Sequence, residues 1–420
     1  MRPKKNLILL THTFPYGVGE AFLESEINYL LQGFDKVVVI ARNVKDSRSR
    51  YQAPNFYSHQ INPKSDLKEI VFSIFLLIRN LSRSLRYIRN ELLILKLKKK
   101  RLSRKVLAIM ITDLLKSLIA AQAIKRVMRI HELTGDLILY SYWLSSLALA
   151  TTFVRSKSSQ IRRVARAHHS DLYEHINPSR YLSYRQALAQ ELNGIYSISM
   201  HGLEYLRTIV PEKTHKHLFC SKLGTEPLIV KTQQRPAVHH LIVSCSFLQK
   251  IKLVELIVEA LSLIEVLPIY WIHFGDGPQR EMVEQLAIKK LANKKNIRYL
   301  FHGEFANPTL LKFYQENFVS LLVNTSSSEG IPVSIMEAQS CGVPCIGMDV
   351  GGVREIISKE RGLLLSPDAT PLQIAETINS VLTLPEEAYT ELRASAFVNW
   401  DTNFNAKKNF PAFIQAIQNI

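Results

Sequence analysis

Apolar residues first gather at 5–10, a run that reads as a buried strand, and a polar loop containing Gly17 and Gly19 follows at 11–20. Apolar positions then recur at helical spacing over about 21–32, and 35–41 returns to a Val/Ile run. Strand, glycine loop, helix, strand is the order of a βαβ unit, which builds a parallel sheet. Shorter strands are predicted at 137–140, 163–167 and 194–197. Between them, 67–130 is helical in pattern and strongly basic. Arg79, Arg83 and Arg86 follow three- and four-residue spacing and so line one helix face, while Leu92, Leu93, Leu95 and Leu97 interleave with Lys96 and Lys98.

A polar stretch with Gln233, Gln234, Arg235 and Pro236 reads as a linker over 230–240. A second alternating series follows. Its strands are predicted at 241–246, 269–274, 297–301, 318–324 and 344–347, and its helices at 253–264, 279–291, 309–315 and 332–340. A terminal helix is predicted at 404–420. The fold class is therefore α/β, with two doubly wound Rossmann-like domains. The expected boundaries are 1–228 for the first domain, with a basic helical insertion at about 67–130; 229–400 for the second; and 401–420 for a terminal helix.

Length agrees, since 420 residues exceed one ordinary core. A formal charge of +17 favours anionic partners: nucleic acid, acidic lipid or phosphorylated ligands. Cys220, Cys245, Cys341 and Cys345 form no CxxC pair and stand beside no histidine at metal-ligand spacing, which fits a reduced, cytosolic setting. The basic-then-apolar start resembles a leader, but its apolar run is short and no small-residue cleavage site follows, so a first strand is expected there. The longest apolar run, 70–78, interrupted only by Ser73, is about half of what a membrane span needs, and no transmembrane helix is expected. Nucleic-acid binding would explain the charge, yet no motif for it is present and the basic run lacks interleaved aromatics.

The most informative stretch is 326–344, SSSEGIPVSIMEAQSCGVP. A strand ends, a serine-rich loop follows, and a helix starts near Pro332, which suits the first helical turn because it has no N–H to leave unpaired. The amides of Ile331, Val333 and Ser334, beside Gly330, would then face outward at the carboxyl edge of the sheet and form an anion site suited to a diphosphate. Glu329 precedes this helix start, and Glu337 lies within the helix, four residues after Val333 and on the same face. Such a carboxylate can accept bonds from two ribose hydroxyls. Either glutamate alone fits any exposed helix; the whole string is far more specific.

That string resembles the donor-site signature of glycosyltransferase family 4, two glutamates separated by seven residues with Gly-Ile-Pro between them. The resemblance implies that Glu329 contacts the donor sugar and Glu337 the ribose. Phe274-Gly275-Asp276-Gly277-Pro278 is similar to the family's Gly-x-Gly-Pro loop, and His302-Gly303 and Val350-Gly351-Gly352 match in order, although turn-making explains each glycine pair equally well. Lys252 stands at the family's lysine, whose charge offsets the leaving diphosphate. Phe247 occupies the usual arginine place and Leu253 the usual glycine, so the phosphate clamp departs from the family pattern; Lys250 is a nearby substitute or a solvated lysine.

In the first half, Phe14-Pro15-Tyr16-Gly17-Val18-Gly19-Glu20 lacks dinucleotide spacing. The resemblance assigns Gly17 and Gly19 to the donor diphosphate and Tyr16 and Glu20 to the acceptor. Arg166-Ala167-His168-His169-Ser170-Asp171 is similar to the family's Arg-Ala-His-x-x-Asp segment. That places His168 at the reaction centre and Asp171 near the acceptor; a structural histidine is the other reading. The likeness covers nearly the whole chain, weakest over 52–135, and its pattern is similar to transferases building colanic acid, capsule and O-antigen.

The resemblance implies a GT-B architecture, with two domains facing across a cleft and the helix at 401–420 returning to the first domain. It also implies a hexosyltransferase acting with retention of configuration, without metal and without a cofactor, the nucleotide-sugar being a co-substrate. Expected partners are a nucleotide-diphosphate-sugar, a lipid-linked or oligosaccharide acceptor and an anionic membrane surface, with no nucleic acid. The expected place is the cytoplasm, peripheral on the inner face of the plasma membrane. The basic helices at 67–130 fit lipid docking and a solvated helix face equally. Rival readings are a GT-B sugar-nucleotide epimerase and a non-catalytic basic nucleic-acid- or membrane-binding protein.

Overall fold

The computed structural model describes residues 5–420 except 18, 21, 43, 45–47, 62–65, 100–101, 178, 229–233, 237 and 358–362, and the side chains of 66–71 and 73. Part of the predicted linker at 230–240 and the opening residue of the first predicted helix thus lie outside the described residues. The chain divides into two compact units: the part up to Ser221 together with Phe410–Ile420, and Lys222–Asn409.

The first domain runs β1 (Lys5–Thr11), α1 (Leu23–Gly33), β2 (Lys36–Ala41), β3 (Phe56–Gln60), α2 (Asp66–Arg79), α3 (Leu81–Leu97) and α4 (Arg104–Ile130). It continues with β4 (Gly135–Ser141), α5 (Ser146–Thr152), β5 (Ser159–Ala167), α6 (Arg185–Glu191), β6 (Gly194–Ser197), α7 (Met200–Ile209) and β7 (Leu218–Cys220). Its seven strands are ordered β3-β2-β1-β4-β5-β6-β7, and every pairing is parallel. Both faces of this sheet are covered, which is why β1 and β2 are apolar at successive positions rather than alternate ones. Leu7, Leu9, Val37 and Val39 enter one core, and Ile8, Leu10, Val38 and Ile40 the other.

The second domain runs β8 (His240–Cys245), α8 (Glu255–Ser262), β9 (Ile269–Phe274), α9 (Arg280–Leu291), β10 (Ile297–Gly303), α10 (Asn307–Glu316) and β11 (Leu321–Asn324). After these come α11 (Val333–Ser340), β12 (Cys345–Met348), β13 (Leu364–Leu365), α12 (Pro371–Leu382) and α13 (Glu386–Asn403). The last helix, α14 (Ala406–Asn419), passes from this domain into the first at Phe410. The six strands are ordered β10-β9-β8-β11-β12-β13, again all parallel. Two parallel-sheet α/β Rossmann-like domains are thus present.

Differences from the sequence expectation have local causes. The single basic helical stretch is three helices: α2 and α3 part at Asn80, and α3 ends at Leu97, followed by Lys98 and then Lys99 with φ of +50°. Strand β3 escaped notice because it buries only Phe56 and is otherwise polar. The helix predicted at 404–420 is α14, preceded by the longer α13, with the buried Phe404 between them. Among the described residues one helix, α4, is long and apolar enough by length and composition to cross a membrane. Counting apolar runs passes over it because Thr112, Asp113, Lys116 and Ser117 interrupt. Here Met110, Leu114, Leu118 and Ile124 of α4 lie in the core of the first domain.

Candidate active site

In an open parallel sheet the loops leaving the carboxyl ends share one edge, and they diverge where the strand order reverses, leaving a crevice. That reversal falls between β8 and β11 in the second domain and between β1 and β4 in the first. The second-domain residues singled out from sequence gather around its reversal point. The loop after β8 carries Lys252, and the loop after β11 carries Glu329. Lys252 Nζ donates to Glu329 Oε1 at 2.6 Å, and Asn324 Nδ2 lies 3.4 Å from the same oxygen. Little of either side chain is exposed, 17% for Lys252 and 10% for Glu329. The Thr325 hydroxyl donates to the carbonyls of Lys252 and Leu253, and the Ser327 amide donates to Ile251 O, so the two loops are stitched together.

Helix α11 starts one residue later than expected. Pro332 is not in the first turn; it is the extended residue ahead of it (φ −67°, ψ 122°), and its carbonyl accepts from the amides of Ile335 and Met336. No side chain caps this end. Among the described residues the amides of Val333 and Ser334 have no hydrogen-bond partner, and both residues are only half-buried. Gly330 and the buried Ile331 lead into this end, and Glu337 lies on the helix itself. Glu337 is 5% exposed and accepts from Asn307 Nδ2 at 2.6 Å. Burial pushes its carboxyl up to about 7, a rise that the Asn307 bond moderates.

The glycine pairs bring backbone close to backbone. A Cβ on Gly351, at φ +54°, would meet Glu329 O at 1.9 Å, and the Gly352 amide donates to Gly330 O at 2.9 Å. The turn after β12 therefore packs against the peptide that carries the first glutamate. Gly275 and Gly277 are needed for the same reason, because added Cβ atoms would meet Ser246 O at 1.9 Å and Leu248 O at 2.5 Å. Phe247 is 57% exposed and Lys250 is exposed. Leu253, at the family's glycine place, adopts the left-handed conformation (φ 47°, ψ 41°) that favours glycine.

In the first domain the loop after β1 is organised around Glu20. Its carboxylate accepts from the amides of His12 (3.1 Å), Thr13 (2.7 Å) and Phe14 (2.7 Å), from the Thr13 hydroxyl, and from the indole N–H of Trp143 in the loop after β4. Burial alone would raise this carboxyl, but the bonds from Trp143 and the three amides hold it below the ordinary range. Gly17 has φ of +62°, and Gly19 packs against Thr13. The Arg50 guanidinium donates to the carbonyls of Gly17 and Gly19 and pairs with Glu24 at 2.9 Å. Tyr16 is buried, its hydroxyl donating to Ser58 Oγ at 3.0 Å.

His168 follows β5 and is 7% exposed. Its Nε2 lies 3.0 Å from Tyr142 O, and because a carbonyl only accepts, Nε2 carries the proton and Nδ1 is left as an acceptor. Burial, then the Arg166 guanidinium, lowers the ring to about 3, so the imidazole is neutral at physiological pH. Asp171 ties two loops, accepting from the His168 amide at 2.7 Å and the Leu144 amide at 2.6 Å; burial raises its carboxyl to about 6. Both Glu20 and Asp171 thus have their oxygens engaged by the protein's own backbone.

Four residues escaped the sequence reading: Asn307, Asn324, Arg50 and Trp143. Asn324 and Trp143 stand at or just beyond the ends of buried strands, a usable signal; Asn307 and Arg50 come from distant segments and carry none. Among the described residues no group of three His, Cys, Asp or Glu is placed to hold a metal ion.

Comparison with known proteins adds to this geometry. Residues 229–396 match the family described as Glycosyl transferases group 1. A Bacillus subtilis relative, named for teichuronic acid biosynthesis as the glycosyltransferase TuaC, is 25% identical over 301 residues, covering 68% of this chain and 72% of its own. The N-acetyl-alpha-D-glucosaminyl L-malate synthase of Bacillus anthracis is 31% identical over 118 residues, 28% of this chain and 29% of that one. Among solved structures, Anabaena HepE in complex with UDP and glucose matches with a TM-score of 0.63 at 15% identity, covering 99% of this chain and 100% of the other. The chain is a glycosyltransferase of GT-B-type fold whose group 1 domain, at residues 229–396, holds the paired Lys252 and Glu329.

Proposed function

We propose that this enzyme moves a sugar from a nucleotide-diphosphate-sugar to a lipid-linked or oligosaccharide acceptor in cell-surface polysaccharide synthesis, with retention of configuration and without a metal. The observation that carries this reading is the Lys252–Glu329 pair at the strand-order reversal beside the uncapped start of α11. Unpartnered amides at a helix start favour an anion. Lys252 supplies a mobile positive charge, paired with Glu329 until a diphosphate draws it over. Glu329 then accepts from hydroxyls of the donor sugar, and Glu337 from those of the ribose. Charge leaving with the diphosphate is balanced by Lys252 and the helix amides. In front-face transfer the departing phosphate helps take the acceptor proton.

His168, neutral with Nδ1 free to accept, suits a hydrogen bond to a sugar hydroxyl better than a cationic role. Glu20 and Asp171 serve by shaping the loops that meet the acceptor. The TuaC likeness supports a surface-polysaccharide setting, and HepE, solved with UDP and glucose, supports a nucleotide-linked donor. Exposed apolar side chains on α2 and α3, Phe75, Ile78, Leu85 and Leu97, lie among basic ones and support docking at the inner face of an anionic membrane.

A thermal-shift screen against UDP-, GDP-, dTDP- and CMP-sugars identifies the donor, and Glu329→Gln is expected to lower kcat about 100-fold or more while the protein still melts cooperatively. Undiminished turnover in that variant, or epimerised nucleotide-sugar formed without any acceptor, overturns the proposal.

A further inference from the structure

The first domain holds a second polar concavity, at the opposite edge of its sheet from the loops after β1, β4 and β5. Parallel strands begin along one edge. Lys36 opens β2, Thr134 precedes β4 and Ser158 precedes β5, and all three line one cavity of about 870 Å³ together with residues of α2 and α4. Its charged lining is Lys36, Arg79 from α2, Lys125 and Arg129 from α4, Arg155 after α5, and a single carboxylate, Glu132. Among the described residues the side chains of Arg79, Lys125, Arg129 and Arg155 have neither an ion pair nor a hydrogen-bond partner, while Lys36 donates to His131 O at 3.0 Å. A neighbouring cavity of about 540 Å³ shares Arg79, Lys125 and Arg155 and adds Arg83 and Arg86, which face Glu191 at 4.0 and 2.6 Å.

Four unpaired cations converging on one concavity repel one another; Arg79, Arg129 and Arg155 are exposed, and Lys125, half-buried among them, is where screening by water is weakest. Lys125 registers that strain: burial first, then Arg79 and Arg83, lowers its ammonium below the ordinary range. Nothing in the candidate active site uses these residues. Guanidinium forks from two helices and a loop suit an oxyanion with several oxygens, and the volume suits a headgroup or a small organic phosphate rather than a bare halide. We infer that this cavity binds a phosphate-bearing anion, at a site separate from the nucleotide site proposed at α11. Ile74, Phe75 and Ile78, exposed on the helix that carries Arg79, make a phospholipid headgroup one source of that phosphate. A soluble phosphate ester is the other.

The test uses the full chain with UDP held at saturation, so that the proposed nucleotide site is occupied. Inorganic pyrophosphate is titrated in one arm, and vesicles of phosphatidylglycerol, against phosphatidylcholine, in the other. Wild-type protein is expected to bind at least one probe, and the paired substitution Lys125→Gln with Arg155→Gln to weaken that binding by about fivefold per cation removed. The melting temperature without ligand and the UDP affinity are expected to stay unchanged. Pyrophosphate binding lost in the variant supports a soluble source, and anionic-vesicle binding lost in it supports a headgroup. Binding of neither probe, or binding indifferent to the two substitutions, overturns the inference. Failure of UDP to bind at all would instead count against the proposed function and leave both arms readable.

Discussion

Leu253 shows how one residue can preserve a conformation that its side chain opposes. It stands where the family resemblance implies a glycine, and its φ is +47°. For a residue with a Cβ that region costs roughly 1–2 kcal/mol. Leu253→Gly and Leu253→Ala both remove the side chain, but only glycine relieves the backbone. The glycine variant is expected to be the more stable by about 1 kcal/mol, the reverse of the order in an ordinary helix or loop. Urea unfolding of the pair checks it, and an alanine variant of equal or greater stability would refute it. Glu337 carries a second prediction. Its folded-state carboxyl titrates near 7 against an ordinary 4.5, so the folded protein holds a proton that the unfolded chain releases. Its contribution to stability is therefore greatest below pH 4.5, falls as pH rises toward 7, and levels off above it, a loss on the order of 3 kcal/mol. Glu337→Gln is expected to flatten that slope. If ribose hydroxyls bond to the ionised form, UDP binding near pH 6 releases a proton, which calorimetry in two buffers of different ionisation enthalpy detects.

At the scale of elements, the loop after β1 has no regular structure; one carboxylate gathers its first half, and Arg50 holds the carbonyls of Gly17 and Gly19. Removing Glu20 strands the amides of His12, Thr13 and Phe14 and frees the Trp143 indole. Glu20→Ala is expected to cost about 1–3 kcal/mol and, on the proposed function, to raise the acceptor KM while UDP affinity holds. Equal weakening of UDP and acceptor would argue against that division. The same loop shows what was legible in the sequence. Its glycines and its place between strand and helix could be read directly, because β1, α1 and β2 have clear periodicity. The clamp could not, since Trp143 and Arg50 reach it from other segments. Likewise the string from Glu329 to Glu337 announced α11 and its helix start to within one residue, whereas Asn307, bonded to Glu337 across thirty positions, left no local trace. Edge strands β3 and β7 were missed because a strand buried on one side over a few residues has neither a long apolar run nor full alternation.

At the scale of the whole molecule, two doubly wound domains were legible because each repeats the same alternation of buried strand and amphipathic helix. Where the last helix completes a core could not be read from periodicity, because an amphipathic stripe does not name the surface that covers it. In the structure Phe413, Ile414 and Ile417 belong to the first domain's core, far from it in sequence. The Phe413 ring also lies 3.9 Å from the Arg166 guanidinium, which is buried with Glu26 at 3.4 Å and donates to the Tyr140 hydroxyl at 2.7 Å. Deleting 410–420 therefore removes Phe413, Ile414, Ile417 and the buried Phe410, each contributing about 1.5–3 kcal/mol, and opens a buried ion pair to water. That loss is comparable to the stability of a typical domain, about 5–15 kcal/mol. The deletion is expected to abolish or sharply lower the first domain's cooperative melting while the second domain keeps its UDP-dependent thermal shift. Phe413→Ala should fall between the two, costing about 3–5 kcal/mol. Calorimetric scans of the three proteins with and without UDP decide it: a truncated chain that melts like the full one would mean that the first domain's core closes without its last helix.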